Sequence, residues 1–299
     1  MGPALAHEIL ALEKGSGTRA EKGGSPHAMK ATVLLFHDVV PPGRFDLSGF
    51  QSPDANIYKI DCAAFERHLA AMSECAPEPP GVVFDQQATT ARRLLITFDD
   101  GGVSAATFIA DMLDSRRWPG HFLVTTDFIG TPGFVHASHI RELHSRGHVI
   151  GSHSCSHPLR MAACSATQLD REWRESVERL QDILGSPIEV ASIPGGYYRT
   201  NVAAAAATAG IRHLFTSEPV ISVRTVDGCR IYGRFSVHQG VRPEWVGSVI
   251  AGDVWPRVQR LVFWNAKKIL KKAGGTAWID ARRRIIAARS RQSQGIHDP

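Results

Sequence analysis

Asp99 and Asp100 close an apolar run, Leu94-Leu95-Ile96-Thr97-Phe98, and are followed at once by Gly101-Gly102. Further along, His153-Ser154-Cys155-Ser156-His157 sets two imidazoles four residues apart. One aspartate with two histidines suits a single divalent ion and leaves coordination positions open to water and substrate, which is the habit of a catalytic metal site. The remaining aspartate is then available as a base. Neighbouring residues of a regular strand point to opposite faces. The two carboxylates can therefore share a site only at a strand end, where the pleat relaxes and Cα atoms lie about 3.8 Å apart. Histidines at i and i+4 meet on one side of a helical turn and can grip the same ion.

The elements that must position these residues alternate along the chain. Strand-like runs are Thr32–Phe36, Leu94–Phe98, Gly120–Thr125, His148–Gly151, Ile188–Ile193 and Arg212–Phe215, with two more around Ile221–Thr225 and Arg230–Val237. Between them the pattern predicts helices from Asp61 to Cys75, over Val103–Arg116, from a Ser138 cap to Gly147, over Ser165–Leu184 and over Asn201–Ala209. Such β-α repetition implies a parallel sheet. The pair Asp99/Asp100, the pair His153/His157, the turn Pro194-Gly195-Gly196 and His238 each follow a different strand run. Convergence of several strand ends on one site favours a barrel, with its chemistry at the C-terminal face, over an open sheet. The expectation is a distorted, incomplete (β/α)7-type barrel over residues 29–255. A disordered leader (1–28) precedes it and a basic helical extension (256–299) follows.

With 299 residues, 43% hydrophobic and 21% charged, the chain can bury a core of barrel size and has the composition of a globular enzyme. The net charge of +5 is concentrated between Arg257 and Arg291, which favours an anionic surface or ligand there over nucleic acid in general. Five cysteines without a CxxC pair suggest neither a disulfide framework nor a cysteine zinc site, and so a reduced, cytoplasmic setting. No apolar run is long enough to span a bilayer, and the first 28 residues lack the apolar core of a secretory signal.

Thr97-Phe98-Asp99-Asp100-Gly101 followed by His153-Ser154-x-x-His157 resembles the first two motifs of the polysaccharide deacetylase family (NodB homology, carbohydrate esterase family four). The resemblance runs from Val33 to about Val237. It implies a distorted barrel, Asp99 as general base, and Asp100, His153 and His157 as ligands of zinc or, alternatively, cobalt, nickel or manganese. It further implies an oxyanion donor in the Gly195 N–H and a proton donor in His238, at the end of Phe235-Ser236-Val237. His37, in Phe36-His37-Asp38, stands where many members carry a histidine after the first strand and is the next candidate for the acid. With Tyr197 and Tyr198, it is also a candidate for substrate contact. The third motif, Ser192-Ile193-Pro194-Gly195-Gly196, lacks the family's arginine. Arg199 is one replacement to consider, and Glu218 one for the aspartate that normally pairs with that arginine. The resemblance thus implies a metal-dependent hydrolase removing N-acetyl groups from a polysaccharide or glycan precursor. Deacylation of a small or lipid-linked amino sugar, and non-catalytic glycan binding, are the alternatives.

Residues 257–272 read as an amphipathic helix with Val258, Leu261, Val262, Asn265 and Ile269 on one side. Through 257–291 such a segment could rest on an anionic membrane, giving a cytoplasmic protein peripheral to the inner membrane. The alternative is a helix packed on the barrel with its basic face in water.

Overall fold

The computed structural model describes residues 29–85, 92–196 and 198–266. Its strands are β1 (Lys30–Phe36), β2 (Val39–Val40), β3 (Ile60–Asp61), β4 (Arg92–Phe98), β5 (His121–Val124) and β6 (Val149–Ser152). They continue with β7 (Val190–Ser192), β8 (His213–Phe215), β9 (Arg224–Val226), β10 (Cys229–Tyr232) and β11 (Phe235–Ser236). The helices are a single turn α1 (Pro53–Asn56), then α2 (Cys62–Cys75), α3 (Ala110–Asp114), α4 (Ala137–Ser145), α5 (Ala166–Leu184), α6 (Thr200–Thr208) and α7 (Pro243–Ala251). One nine-stranded sheet has the order β11-β1-β4-β5-β6-β7-β8-β10-β9, parallel throughout except for β9, which runs antiparallel to β10. The expected distorted barrel is present, with nine strands in its sheet.

The curl of the sheet follows from a short stretch of chain. Strand β10 pairs with β8, near one end of the strand order, and β11 pairs with β1 at the other. Only Gly233-Arg234 separates them, and three Cα steps span at most about 11 Å. A flat sheet of nine strands would hold these partners much farther apart, so the sheet must bend round until its ends meet. The run expected as one strand over 230–237 is accordingly broken. At the break a side chain on Gly233 would collide with the Glu218 and Val220 carbonyl oxygens at 2.4 and 2.5 Å, so glycine is required there.

Strand alternation then sorts side chains between two cores. Leu34, Phe36, Leu94, Ile96 and Phe98 face the helices, whereas Val33, Leu95, Leu123, Val190, Phe215 and Tyr232 fill the barrel interior. Along β4 the inward series Leu95, Thr97 leads to Asp99 by the period of two. Helix α5 buries Leu169, Trp173, Ser176, Val177 and Leu180, the stripe expected of a 3.6-residue period. Ser165 and Gln168 close a capping box at its start, and Gly185 ends it at φ 68°.

Three local expectations are corrected. The helix expected over Val103–Arg116 is a π turn (Ala105–Ile109) running into the short α3. Helix α4 is capped by His136 and not by Ser138, through a reciprocal pair with His139. The segment holding His153 and His157 is a loop, not a helical turn. Residues 1–28, expected as a leader, lie outside the described residues, as does 267–299 of the expected extension.

Residues 254–266 are helical and pack on the barrel with their arginines inward. Arg257 is buried and donates to the Gly252 and Asp253 carbonyls. Arg260 donates to the Ser236 carbonyl and stacks on Trp245 at 4.6 Å. Val258 is buried beside them, while Trp255, Val262 and Phe263 are exposed. The apolar side expected through Val258, Leu261 and Val262 is therefore divided between barrel and solvent. No helix among the described residues is long and apolar enough to cross a membrane.

Candidate metal centre and its buried base

Asp99 and Asp100 stand at the end of β4 and are brought together by a backbone reversal. Asp100 adopts φ 77° and Gly101 φ 83°, which turns the second carboxylate back toward the barrel axis. Few residues other than glycine tolerate this left-handed region, and aspartate is among the more tolerant. The Asp99 N–H is held by the Phe36 carbonyl at 3.1 Å. Asp38, just beyond β1, fastens the turn from behind. Its buried carboxylate accepts from the Ser48 and Ser104 hydroxyls at 2.5 and 2.7 Å, and a side chain on Gly102 would strike it at 1.9 Å.

The histidines approach from the loop after β6. Asp100 Oδ1 lies 3.4 Å from Nε2 of both His153 and His157, and the three donor atoms fall within 4.8 Å of one another. Two imidazole nitrogens and one carboxylate oxygen in this arrangement fit a divalent ion such as zinc. His153 is prepared for the task by its other nitrogen. Its Nδ1 lies 2.5 Å from the Ser192 hydroxyl, which itself donates to Asp99 Oδ1 at 2.9 Å. A hydroxyl whose proton goes to Asp99 can only accept from the ring, so His153 carries a proton on Nδ1 and faces Asp100 with Nε2, the nitrogen that would bind an ion.

Asp100 is held well below the usual carboxylate range: burial works against this, but hydrogen bonds from His153 and His157 outweigh it. His157 is raised for the complementary reason, burial opposing and the Asp100 carboxylate prevailing. Asp99 also lies low. Burial would raise it, and the charge of Arg234 overcomes that.

Arg234 is the residue that sequence reasoning missed. It is fully buried and grips Asp99 with two parallel bonds of 2.7 Å, Nη1 to Oδ1 and Nη2 to Oδ2. Its remaining donors go to Thr97 Oγ1 at 3.2 Å and the Thr216 carbonyl at 2.8 Å. The arginine absent from the third motif is thus supplied from the β10–β11 break, while Ser192 keeps a hydroxyl contact to the same carboxylate. The two replacements weighed on sequence are corrected. Arg199 is exposed, and Glu218 pairs with Arg224 at 2.7 Å. One signal was available: Arg234 is the lone charge in Ile231-Tyr232-Gly233-Arg234-Phe235, otherwise an apolar run.

The other candidates are placed unequally. Gly195, at φ 64°, forms the turn after β7 next to Pro194, and the N–H of Gly196 is taken by the Ile193 carbonyl at 3.0 Å. His37 extends the inward series of β1, and the register Phe36↔Phe98 sets it beside Asp99. Its Nδ1 is buried with no hydrogen-bond partner among the described residues, and its ring packs on Tyr58 at 4.8 Å. His238 follows β11, one strand farther from Asp99, with Nδ1 2.8 Å from the Gln239 carbonyl. Tyr198 is packed under the Arg224 guanidinium at 5.0 Å and touches the core. Tyr197 lies outside the described residues. Phe50 stands against His157 with ring centres 5.0 Å apart, backed by Phe128 and Phe134, and walls one side of the ligand set.

A family model described as polysaccharide deacetylase matches residues 86–214, the stretch that carries both aspartates, both ligand histidines and Gly195. This part of the chain is similar to that family. A chitooligosaccharide deacetylase of Rhizobium leguminosarum bv. trifolii is 31% identical over 100 residues, 33% of this chain and 44% of the relative. The chain therefore matches less than half the length of that curated relative. Among solved structures, a Streptococcus pyogenes deacetylase in complex with acetate has a TM-score of 0.60 at 16% identity, covering 73% of this chain and 96% of the other. A polysaccharide deacetylase from Bacillus cereus has a TM-score of 0.61 at 18% identity, covering 74% and 69%. At these identities the two structures bear on the fold, which they share.

Proposed function

We propose that the protein is a metal-dependent hydrolase that removes N-acetyl groups from a glycan. The observation that carries this reading is the union of a three-residue ligand set with a carboxylate, Asp99, that is buried, ionised and fixed by Arg234 one residue away from it. Asp100, His153 and His157 would hold the ion, and zinc in such a set supplies Lewis acidity and a more acidic water when bound. Asp99 takes the proton of the attacking water. It cannot rotate away, because Arg234 and Ser192 occupy both of its oxygens. The Gly195 N–H donates to the oxyanion that develops on the acyl oxygen, a role independent of any side chain.

The leaving amine needs a proton. His238 is the donor by resemblance to the family, and His37 is favoured by its place beside Asp99 and its buried, unpartnered nitrogen. An aryl acetate leaves without protonation, so it separates the two: the true donor's glutamine variant should lose amide hydrolysis by about 100-fold or more yet retain aryl acetate hydrolysis.

The substrate class supported by the relative's name is an N-acetylated oligosaccharide; a lipid-linked or small amino sugar is the second reading. The exposed Trp255 and Phe263 support peripheral contact with an anionic membrane as part of that second reading. Acetate release from a panel of N-acetylated chitooligosaccharides, with and without chelator, tests the proposal. Activity that survives complete metal removal would overturn it, and bound metal with no acetate from any member would point to glycan binding or another acyl substrate.

A further inference from the structure

We infer that Glu172, on helix α5, is a positioning residue for the metal centre: it holds the loop that presents His157. The inference rests on the metal-site reading above and adds a residue that lies outside the ligand set.

The loop after β6 has an unfavourable backbone. Ser154 and His157 both adopt left-handed conformations, φ 65° and 58°, without being glycine. Such residues are strained and persist only where surrounding contacts determine them. The two histidines are not equally secured. His153 has its N–H on the Val124 carbonyl at 2.8 Å and its ring on Ser192. His157 has its N–H on the Ser154 hydroxyl at 3.1 Å, a contact within the loop itself. Its placement therefore depends on what fixes residues 154–156.

Glu172 supplies that fixation. Its Oε2 accepts from the N–H groups of Cys155 at 3.0 Å and Ser156 at 2.8 Å, and its Oε1 accepts from the Ser156 hydroxyl at 2.5 Å. The side chain reaches the loop from within the protein, its residue only 8% exposed. The carbonyl side of the loop is tied separately, by the N–H groups of Thr126 and Asp127 to Ser154 and Cys155. Three donors meet on one carboxylate, and the Cys155 N–H among them is buried and would otherwise lack a partner. An ionised carboxylate suits this role because it only accepts. A glutamine loses the charge, can take the two N–H groups only on its single oxygen, and must turn the Ser156 hydroxyl round to accept from its NH2, so its hold on the loop is weaker.

The test uses the full-length protein and zinc alone. Dissociation constants are measured by competition with a chromophoric chelator, and the apo-protein Tm is recorded beside them. Glu172→Gln should weaken zinc binding by about 10- to 100-fold, the effect usual for residues that orient ligands. Glu178→Gln, farther along the same helix and exposed, should leave it within twofold. Ser156→Ala removes one of the three bonds and should weaken binding by a few-fold, which keeps the inference testable should Glu172→Gln fold poorly. Wild-type affinity in both Glu172→Gln and Ser156→Ala would overturn the inference, as would a lowered Tm with unchanged affinity, since that is a purely structural role. Failure of the wild type itself to bind zinc would instead overturn the metal-site reading.

Discussion

At the scale of single residues, Asp99 and Arg234 form one unit. Asp99→Asn should abolish turnover, a loss of at least about 1,000-fold in kcat, while zinc stays bound, since the proposed ligands are Asp100, His153 and His157. Near wild-type turnover in that variant would remove Asp99 from its role. Arg234→Lys keeps a positive charge but cannot make two parallel bonds to the carboxylate while also reaching Thr97 and Thr216. A fall in kcat of about 10- to 100-fold is expected, together with an upward move of the acid limb of the pH–rate profile. The direction follows from Asp99 being held low against its burial by this guanidinium. Arg234→Met leaves the carboxylate buried without its charge partner and should cost about 3–5 kcal/mol in stability. An unshifted pH profile in the lysine variant would show that the pair does not set the ionisation of Asp99.

At the scale of elements, the site depends on how closely the strands approach behind it. Gly151, in β6, has no room for a side chain: a Cβ would lie 2.5 Å from the Val190 carbonyl oxygen and 2.6 Å from Leu123 Cδ1. Because the first of these is backbone, relief requires parting β6 from β7. Gly151→Ala should therefore lower stability by about 1–3 kcal/mol. It should also loosen zinc binding, because His153 on one strand and Ser192 on the other would lose their 2.5 Å contact. A Tm and a zinc affinity both equal to wild type would show that the strands can separate without disturbing the centre. The helix over 254–266 behaves differently from its sequence pattern. Its arginines serve as ties to the Ser236 and Gly252 carbonyls, and this is why Val262 and Phe263 are left facing water.

For the whole molecule, buried histidines make acid the weak point. Burial pushes His68, His121 and His213 down to about 4. His121 shows the reason in detail: Nδ1 meets the Ile96 carbonyl at 2.9 Å and Nε2 accepts from the Val83 N–H at 3.2 Å, which only the neutral ring can do. Unfolded, these groups bind a proton below about 6.5, and folded they do so only near 4. Their stabilising contribution is therefore complete above about 6.5 and is lost as pH falls toward 4. It amounts to at most about 3 kcal/mol for each histidine. Thermal melts from pH 7.5 to 4.5 should show Tm falling steeply below about 6.5; a Tm flat over that range would contradict this account. Membrane contact is tested at the same scale. Trp255→Ser with Phe263→Ser should abolish sedimentation with anionic vesicles and spare hydrolysis of soluble oligosaccharides, and equal sedimentation of variant and wild type would remove the exposed face from that role.

Much of this protein was legible in the order of its residues. Alternation of apolar runs with helical stripes required a parallel sheet, and strand period allowed Asp99 and Asp100 to share a site only at the strand end after Phe98. The pairing of an Asp-Asp turn with His153 and His157 pointed to a candidate ligand set, because such chemistry is local to short motifs. What lay beyond reach was decided by closure of the barrel. Arg234 is 135 positions from Asp99 in the chain and becomes its partner only because the strand over 230–237 breaks and carries the arginine to the seam between β8 and β1. Glu172 likewise reaches the loop of His157 from a separate helix. Motifs record contacts between neighbours in sequence, whereas a buried charge is satisfied by whichever side chain the fold brings to it, and only the tertiary structure names that side chain.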